Sequence, residues 1–181
     1  GKLKPAVELA RSAAATADRA GSRRGVAQAE LQLEMCCSEL GLPERAAHGL
    51  RALELFELLD DHLGLANLRL NLGVSCYNEA RWDQALHHYG RSIVEYHLVG
   101  DLVGAAATTN NRAEILTDQG RDIEALDALE EARRGLKAAN YRIGVAITSS
   151  GLGRLATRRG DTSAAAAWLA QAREEFVALD A

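Results

Sequence analysis

The residues able to do chemistry are few, and their spacing argues against most of it. His87 and His88 are adjacent, as are Cys36 and Cys37; Cys76 stands alone, and acidic pairs occur at Asp60-Asp61, Glu130-Glu131 and Glu174-Glu175. Imidazoles and thiolates bind metals, an activated thiolate is a nucleophile, and paired carboxylates perform general acid–base work. Neighbouring residues on a helix point about 100° apart, so His87 and His88 cannot grip one ion together and are read as surface histidines. His48, His62 and His97 are no better placed for a ligand pair and are read the same way. The acidic pairs fall at helix ends or on outer faces, where water accounts for them. No phosphate-loop, dinucleotide, nucleophile-elbow or HExxH pattern occurs, and Gly151-Leu152-Gly153 lies inside a helical stretch with no strand before it. The sequence therefore reads as a non-enzyme that needs no metal and no cofactor.

The elements that carry these residues are helical. Of 181 residues, 34 are Ala and 27 Leu, against 5 Ile, 8 Val and 8 aromatics. That mixture favours helix over sheet. A net charge of −4 and a pI near 5.8 lack the basic footprint of nucleic-acid binding, so no direct nucleic-acid partner is expected. The first 25 residues run basic, with Lys2, Lys4, Arg11, Arg19, Arg23 and Arg24 set against Glu8 and Asp18, and read as a solvated helix face. The longest unbroken apolar run, Ala164 to Ala170, is 7 residues, too short to cross a bilayer. Three cysteines without a CxxC pair suggest neither a disulfide framework nor a zinc site and fit a reducing cytoplasm. With no initial Met and no signal-peptide core, the sequence reads as a segment of a longer chain.

A period of 40 residues organises the chain. Gly64, Gly104 and Gly144 share a phase, as do Ala66, Ala106 and Ala146, then Ala85, Ala125 and Ala165. Larger residues repeat too: Phe56, Tyr96, Leu136 and Phe176. Gly41, Ala80, Gly120 and Gly160 divide each period in two, and apolar residues recur at helical spacing within each half. The spacing predicts nine helices near 3–20, 24–40, 43–60, 63–79, 82–99, 102–119, 122–139, 142–159 and 162–179. Short turns make neighbours antiparallel. Leu72, Tyr89, Leu126 and Leu152 are the expected central knobs, and Cys37 and Cys76 fall at equivalent inner positions, as small buried thiols.

Within each hairpin the pattern resembles the tetratricopeptide repeat. Unit two carries Leu72-Gly73, Cys76, Ala85, Tyr89 and Ser92; unit four carries Leu152-Gly153, Ala156, Ala165, Leu169 and Ala172. Unit three is looser, with Arg112-Ala113, Leu116, Ala125, Leu129 and Ala132, and unit one loosest, with Leu33-Glu34, Cys37, Ala46, Leu50 and Leu53. The period of 40 instead of 34 departs from the family's usual repeat but suits its longer-helix relatives. The resemblance implies an all-α, right-handed solenoid: residues 1–23 as the second helix of a truncated preceding repeat, then hairpins at 24–62, 63–101, 102–141 and 142–181. Segments 110–121 and 141–146 are also similar in texture to repeats behind bacterial class III adenylyl cyclases and LuxR-type ATP-dependent regulators. That likeness implies a sensory or assembly module of a bacterial signalling or transcription-regulatory protein.

In such a solenoid the first helices line a concave groove. The repeat phase places Asn67, Asn71, Tyr77 and Asn78 there from unit two, Asn110, Asn111, Glu114 and Asp118 from unit three, and Arg154 and Arg158 from unit four. An extended protein or peptide ligand could bond to the amides and set an acidic side chain against Arg154. Two readings stand beside it: the Asn side chains bond between helices, and Glu114 with Asp118 neutralises the two arginines. A small-molecule effector sensor and a structural or self-association spacer are the alternative functions. The apolar outer faces of the first and last helices suggest homo-oligomers formed end to end.

Overall fold

Turns at intervals of about twenty residues set the architecture. The computed structural model describes residues 3–179, Leu3 by its backbone alone, so Lys2 and the Leu3 side chain lie outside the described residues. The elements are α1 (Leu3–Arg19), α2 (Arg23–Glu39), α3 (Arg45–Leu58), α4 (His62–Asn78), α5 (Trp82–Leu98), α6 (Leu102–Asp118), α7 (Asp122–Ala138), α8 (Arg142–Arg158) and α9 (Thr162–Val177). Among the described residues there is no strand, and the protein is an all-α solenoid of antiparallel hairpins. The expected boundaries hold to within about two residues. α3 is the short one, at 14 residues, because Pro43 and Glu44 belong to the preceding turn.

Each turn uses one backbone solution. Gly21, Gly41, Gly100, Gly120 and Gly160 take positive φ, and so do Asp60, Ala80 and Asn140. The next N–H then reaches back to a helical carbonyl five residues earlier, as from Arg81 to Cys76 at 2.8 Å and from Asp161 to Ala156 at 3.0 Å. After four of these turns the residue that ends one helix motif also opens the next. The side chains of Ser22, Asp61, Asp101 and Asp161 accept from the N–H three residues on.

Small residues let the helices approach, and they come in two series. Between hairpins, Phe56 packs on Gly64, Tyr96 on Gly104 and Leu136 on Gly144. A Cβ at Gly104 would lie 2.6 Å from the Tyr96 ring, and one at Gly144 would lie 2.9 Å from Leu136, so a larger residue would force the ring or the leucine methyl to move. Within hairpins, Tyr89 fills the space left by Gly73, and Leu169 that left by Gly153. Ala85, Ala125 and Ala165 are buried at the matching places on the second helices. Buried hydroxyls of Thr108, Thr109, Thr117, Thr148 and Ser149 are satisfied by the carbonyl one turn back in their own helices. Arg133 of α7 ties the last hairpin together: it donates to Ser149 Oγ and to Glu175, each at 3.0 Å, and lies over the Trp168 ring.

Two of the four expected knobs are displaced. Tyr89 and Leu152 are fully buried, but Leu72 and Leu126 are only half-buried. Ala125 and Leu129 occupy the line of contact on α7, and Leu126, one residue round the helix, is turned to the flank. Leu129→Ala should therefore cost about 2–5 kcal/mol and Leu126→Ala less, the order to be read from denaturant midpoints. Ala80, an L-residue held at φ 57°, carries strain that glycine does not. Ala80→Gly should raise stability by about 1 kcal/mol in the same experiment, and a fall would mean that the turn relaxes in solution.

Candidate functional site

The first helices of the hairpins, α2, α4, α6 and α8, lie side by side and are linked by polar contacts. Ser38 Oγ and Ser75 Oγ meet at 2.7 Å between α2 and α4. Tyr77 donates to Asp118 Oδ2 at 3.2 Å between α4 and α6, and Arg158 donates to the Asp118 carbonyl at 3.4 Å between α6 and α8. This polar face carries most of the residues expected to bind a partner, but not all of them.

Asn71 and Asn78 line a hollow of about 170 Å³ between α2 and α4, together with Met35, Ser38, Glu39 and Val74. Asn67 is committed inward, its Oδ1 accepting from the Tyr96 hydroxyl at 2.7 Å. Asn110 corrects the expectation, since it is buried against α8 with Oδ1 near Gly151 and offers nothing to solvent. Asn111 and Glu114 are half-buried on the same face. Burial pushes the Glu114 carboxyl up, while Arg154 pulls it down. Arg154 and Arg158 are exposed and reach the one carboxylate of Asp118 at 4.0 and 3.8 Å, the outer limit of an ion pair. Asp118 thus serves Tyr77 and both arginines, with Glu114 a second carboxyl beside Arg154.

Other polar residues sit where the linear pattern did not place them. His48 Nδ1 lies 2.6 Å from Glu30 Oε2, and His62 Nδ1 lies 2.8 Å from Glu95 Oε2, so both join two helices. His88 is half-buried, not on the surface; its Nδ1 has no partner, and burial lowers its pKa. Cys37 and Cys76 are buried and burial raises both thiols, which opposes nucleophilic use. Among the described residues no cluster of three or more His, Cys, Asp or Glu could hold a metal, and no helix is long and apolar enough to cross a membrane.

The most unusual group is Glu34, on α2 beneath this face. It is 1% exposed, its Oε2 has no hydrogen-bond partner, and burial pushes its carboxyl up to about 7 against the pull of Arg45. The signal for it was the loose first repeat, where a glutamate stands at the place of Gly73, Ala113 and Gly153.

A face of parallel first helices on an α-solenoid of hairpins defines a repeat scaffold. Residues 104–174 match the family model of the tetratricopeptide repeat, and that stretch is accordingly a tetratricopeptide-repeat array. The fold of the whole chain is that of tetratricopeptide-repeat solenoids. The crystal structure of BtubC (BKLC) from P. vanneervenii superposes with a TM-score of 0.70 at 15% identity, covering 99% of this chain and 93% of that one. The nearly identical TPR-like repeats of a Podosopora anserina protein named for kinesin light chain give 0.74 at 15% identity, covering 99% and 89%. Among curated proteins, no sequence matches.

Glu34 makes stability depend on pH. Its carboxyl titrates near 4.5 when unfolded and near 7 when folded, so the folded state holds the proton more tightly. The resulting stabilisation is present below pH 4.5 and is lost as pH rises to about 7. The advantage of Glu34→Gln over the parent should grow by roughly 3 kcal/mol between pH 4.5 and 8, measured by chemical denaturation at both ends. A constant difference would show that Glu34 is solvated or paired.

Proposed function

We propose that the protein binds an extended segment of a partner along the first-helix face and performs no chemistry of its own. Tetratricopeptide repeats are scaffolds for protein interaction, and the repeat match and the fold support that general role. The observation that carries the finer reading is that Arg154 and Arg158 are exposed and reach Asp118 only at 4.0 and 3.8 Å, with half-buried Glu114 as a second carboxyl beside Arg154, so both guanidiniums face solvent with loosely held counter-ions. The amides of Asn71 and Asn78, around the hollow two helices away, supply donors and acceptors for a peptide backbone. An acidic side chain at one end of the segment would fix its direction on the face. As part of a larger chain, such a face would serve assembly or sensing in a signalling protein.

An array of extended peptides with and without acidic residues tests this. Arg154→Glu should abolish capture of acidic peptides, and Asn71→Ala with Asn111→Ala should weaken it by roughly 1–3 kcal/mol, allowing about 0.5–1.5 for each bond. Asp118→Asn, which releases both arginines, should strengthen it. Arg134→Glu, on a second helix, should change nothing. Equal signals from all the variants would remove the peptide reading and favour a spacer that associates with itself.

A further inference from the structure

The first hairpin breaks the packing rule of the others, and a pocket lies at the break. In the second and fourth hairpins a glycine on the first helix receives a large side chain from the second, Tyr89 on Gly73 and Leu169 on Gly153. In the first hairpin the sizes are exchanged. Glu34 occupies the glycine position, and across from it stands Gly49, where an added Cβ would be 3.3 Å from the Glu34 side chain. Gly49 thus stands where Tyr89 and Leu129 stand in the 40-residue phase of Phe56, Tyr96 and Leu136, and Leu50 beside it is 58% exposed. The space that results, about 340 Å³ between α2, α3, α4 and α5, is within the size range of small-molecule sites.

The lining is ordered by burial. Glu34 is deeply enclosed, 1% exposed; it lines this space and the Asn71 hollow alike, and its Oε2 has no partner. Leu50, Leu53 and Leu72 form apolar walls. Arg45 and Arg81 are at the solvent end, and both are paired to the single carboxylate of Glu79. Two guanidiniums on one carboxylate leave one positive charge at the mouth, opposite one carboxyl at the base. His88 also lines the space, its Nδ1 buried without a partner. An unpaired carboxyl inside a repeat protein is costly unless something donates to it.

We propose that this pocket binds a small aliphatic amino acid as its zwitterion, with the ammonium on Glu34, the carboxylate on Arg45 and Arg81, and the carbon chain on Leu50, Leu53 and Leu72. The ligand replaces what the first hairpin lacks: a counter-charge for Glu34 and apolar bulk where Gly49 stands in place of Tyr89. It bridges helices of two hairpins, so its occupancy would stiffen the junction between them. The site lies apart from the Arg154 and Arg158 end of the face, and its failure would leave the peptide reading intact.

Titration calorimetry on the intact chain is the test, with leucine and 5-aminovalerate as probes and n-pentylamine and pentanoate as half-ligands. At least one zwitterion should bind, and each half-ligand should bind about tenfold more weakly or worse, as expected from losing one charged hydrogen bond. Glu34→Gln, which keeps the shape and removes a buried charge, should weaken the zwitterion by a similar factor, as should Arg81→Gln. A second reading needs no variant. Near pH 7 the carboxyl is partly protonated, facing Arg45 from α3, Cys37 from α2, Cys76 from α4, and Arg81 with the neutral His88 from the α5 side. An arriving ammonium should expel that proton, and heats in buffers of different ionisation enthalpy should register its release. Absence of binding at millimolar zwitterion, equal binding of either half-ligand, unchanged affinity in Glu34→Gln, or binding without proton release would each overturn the proposal.

Discussion

The structure depends on how closely two helix backbones can approach. Each inner helix packs chiefly on the helices before and after it, and the recurring contacts are made where one side contributes almost nothing beyond its backbone. Gly64, Gly104 and Gly144 admit the helix before them, while Gly73 and Gly153 admit the helix after. The aromatic or aliphatic side chain that enters each gap then decides the spacing. Because the contact between hairpins recurs every 40 residues, the same geometry is imposed from one hairpin to the next, and a solenoid follows without any long-range instruction. The turns add only direction: a left-handed residue and a cap reverse the chain within three residues.

The polar surface is what remains after those contacts are made. On the first helices, residues that do not meet a second helix point toward the equivalent helix of the next hairpin or toward solvent. Some are absorbed locally, as Asn67 is by Tyr96 and Tyr77 by Asp118. Arg154 and Arg158 are only loosely absorbed, at the outer limit of ion pairing with Asp118. Glu34 is the opposite case, a polar group placed where the packing rule demands none and faced by Gly49 instead of a large side chain.

Much of this was legible from residue order. The period, the helices and the turn positions all follow from glycine, alanine and apolar phases, because a repeated contact writes itself repeatedly. The phases of Phe56, Tyr96 and Leu136 and of Gly64, Gly104 and Gly144 read as two separate regularities, however, and only the structure shows them to be two sides of one contact. Direction on the face was read to within about one residue, which is 100° of helix. That margin separates Asn111, on the face, from Asn110, beneath it, and Ala125, in the core, from Leu126, at its flank. Partnerships across the chain were not readable at all. Glu30 pairs with His48 from 18 residues away and Glu95 with His62 from 33 away, through helices that must first be docked. Glu34 was visible as a mismatch in the alignment of the units, but a mismatch alone does not say whether a side chain is solvated or enclosed.

The short turns also bear on how the chain acquires its structure. No side-chain hydrogen bond among the described residues spans more than 42 positions, the separation of Arg133 and Glu175. Closing such loops costs little chain entropy, and the penalty grows only slowly with length. A nucleus of two hairpins can therefore form anywhere along the array and recruit its neighbours outward, and folding should be fast for a protein of this size. The first hairpin, with its short α3 and its buried carboxyl, offers an incoming neighbour the least and should join last. It would also be first to open, giving amide hydrogens in α2 and α3 faster exchange than those in α7 and α8, a gradient of protection along the superhelix instead of one global value.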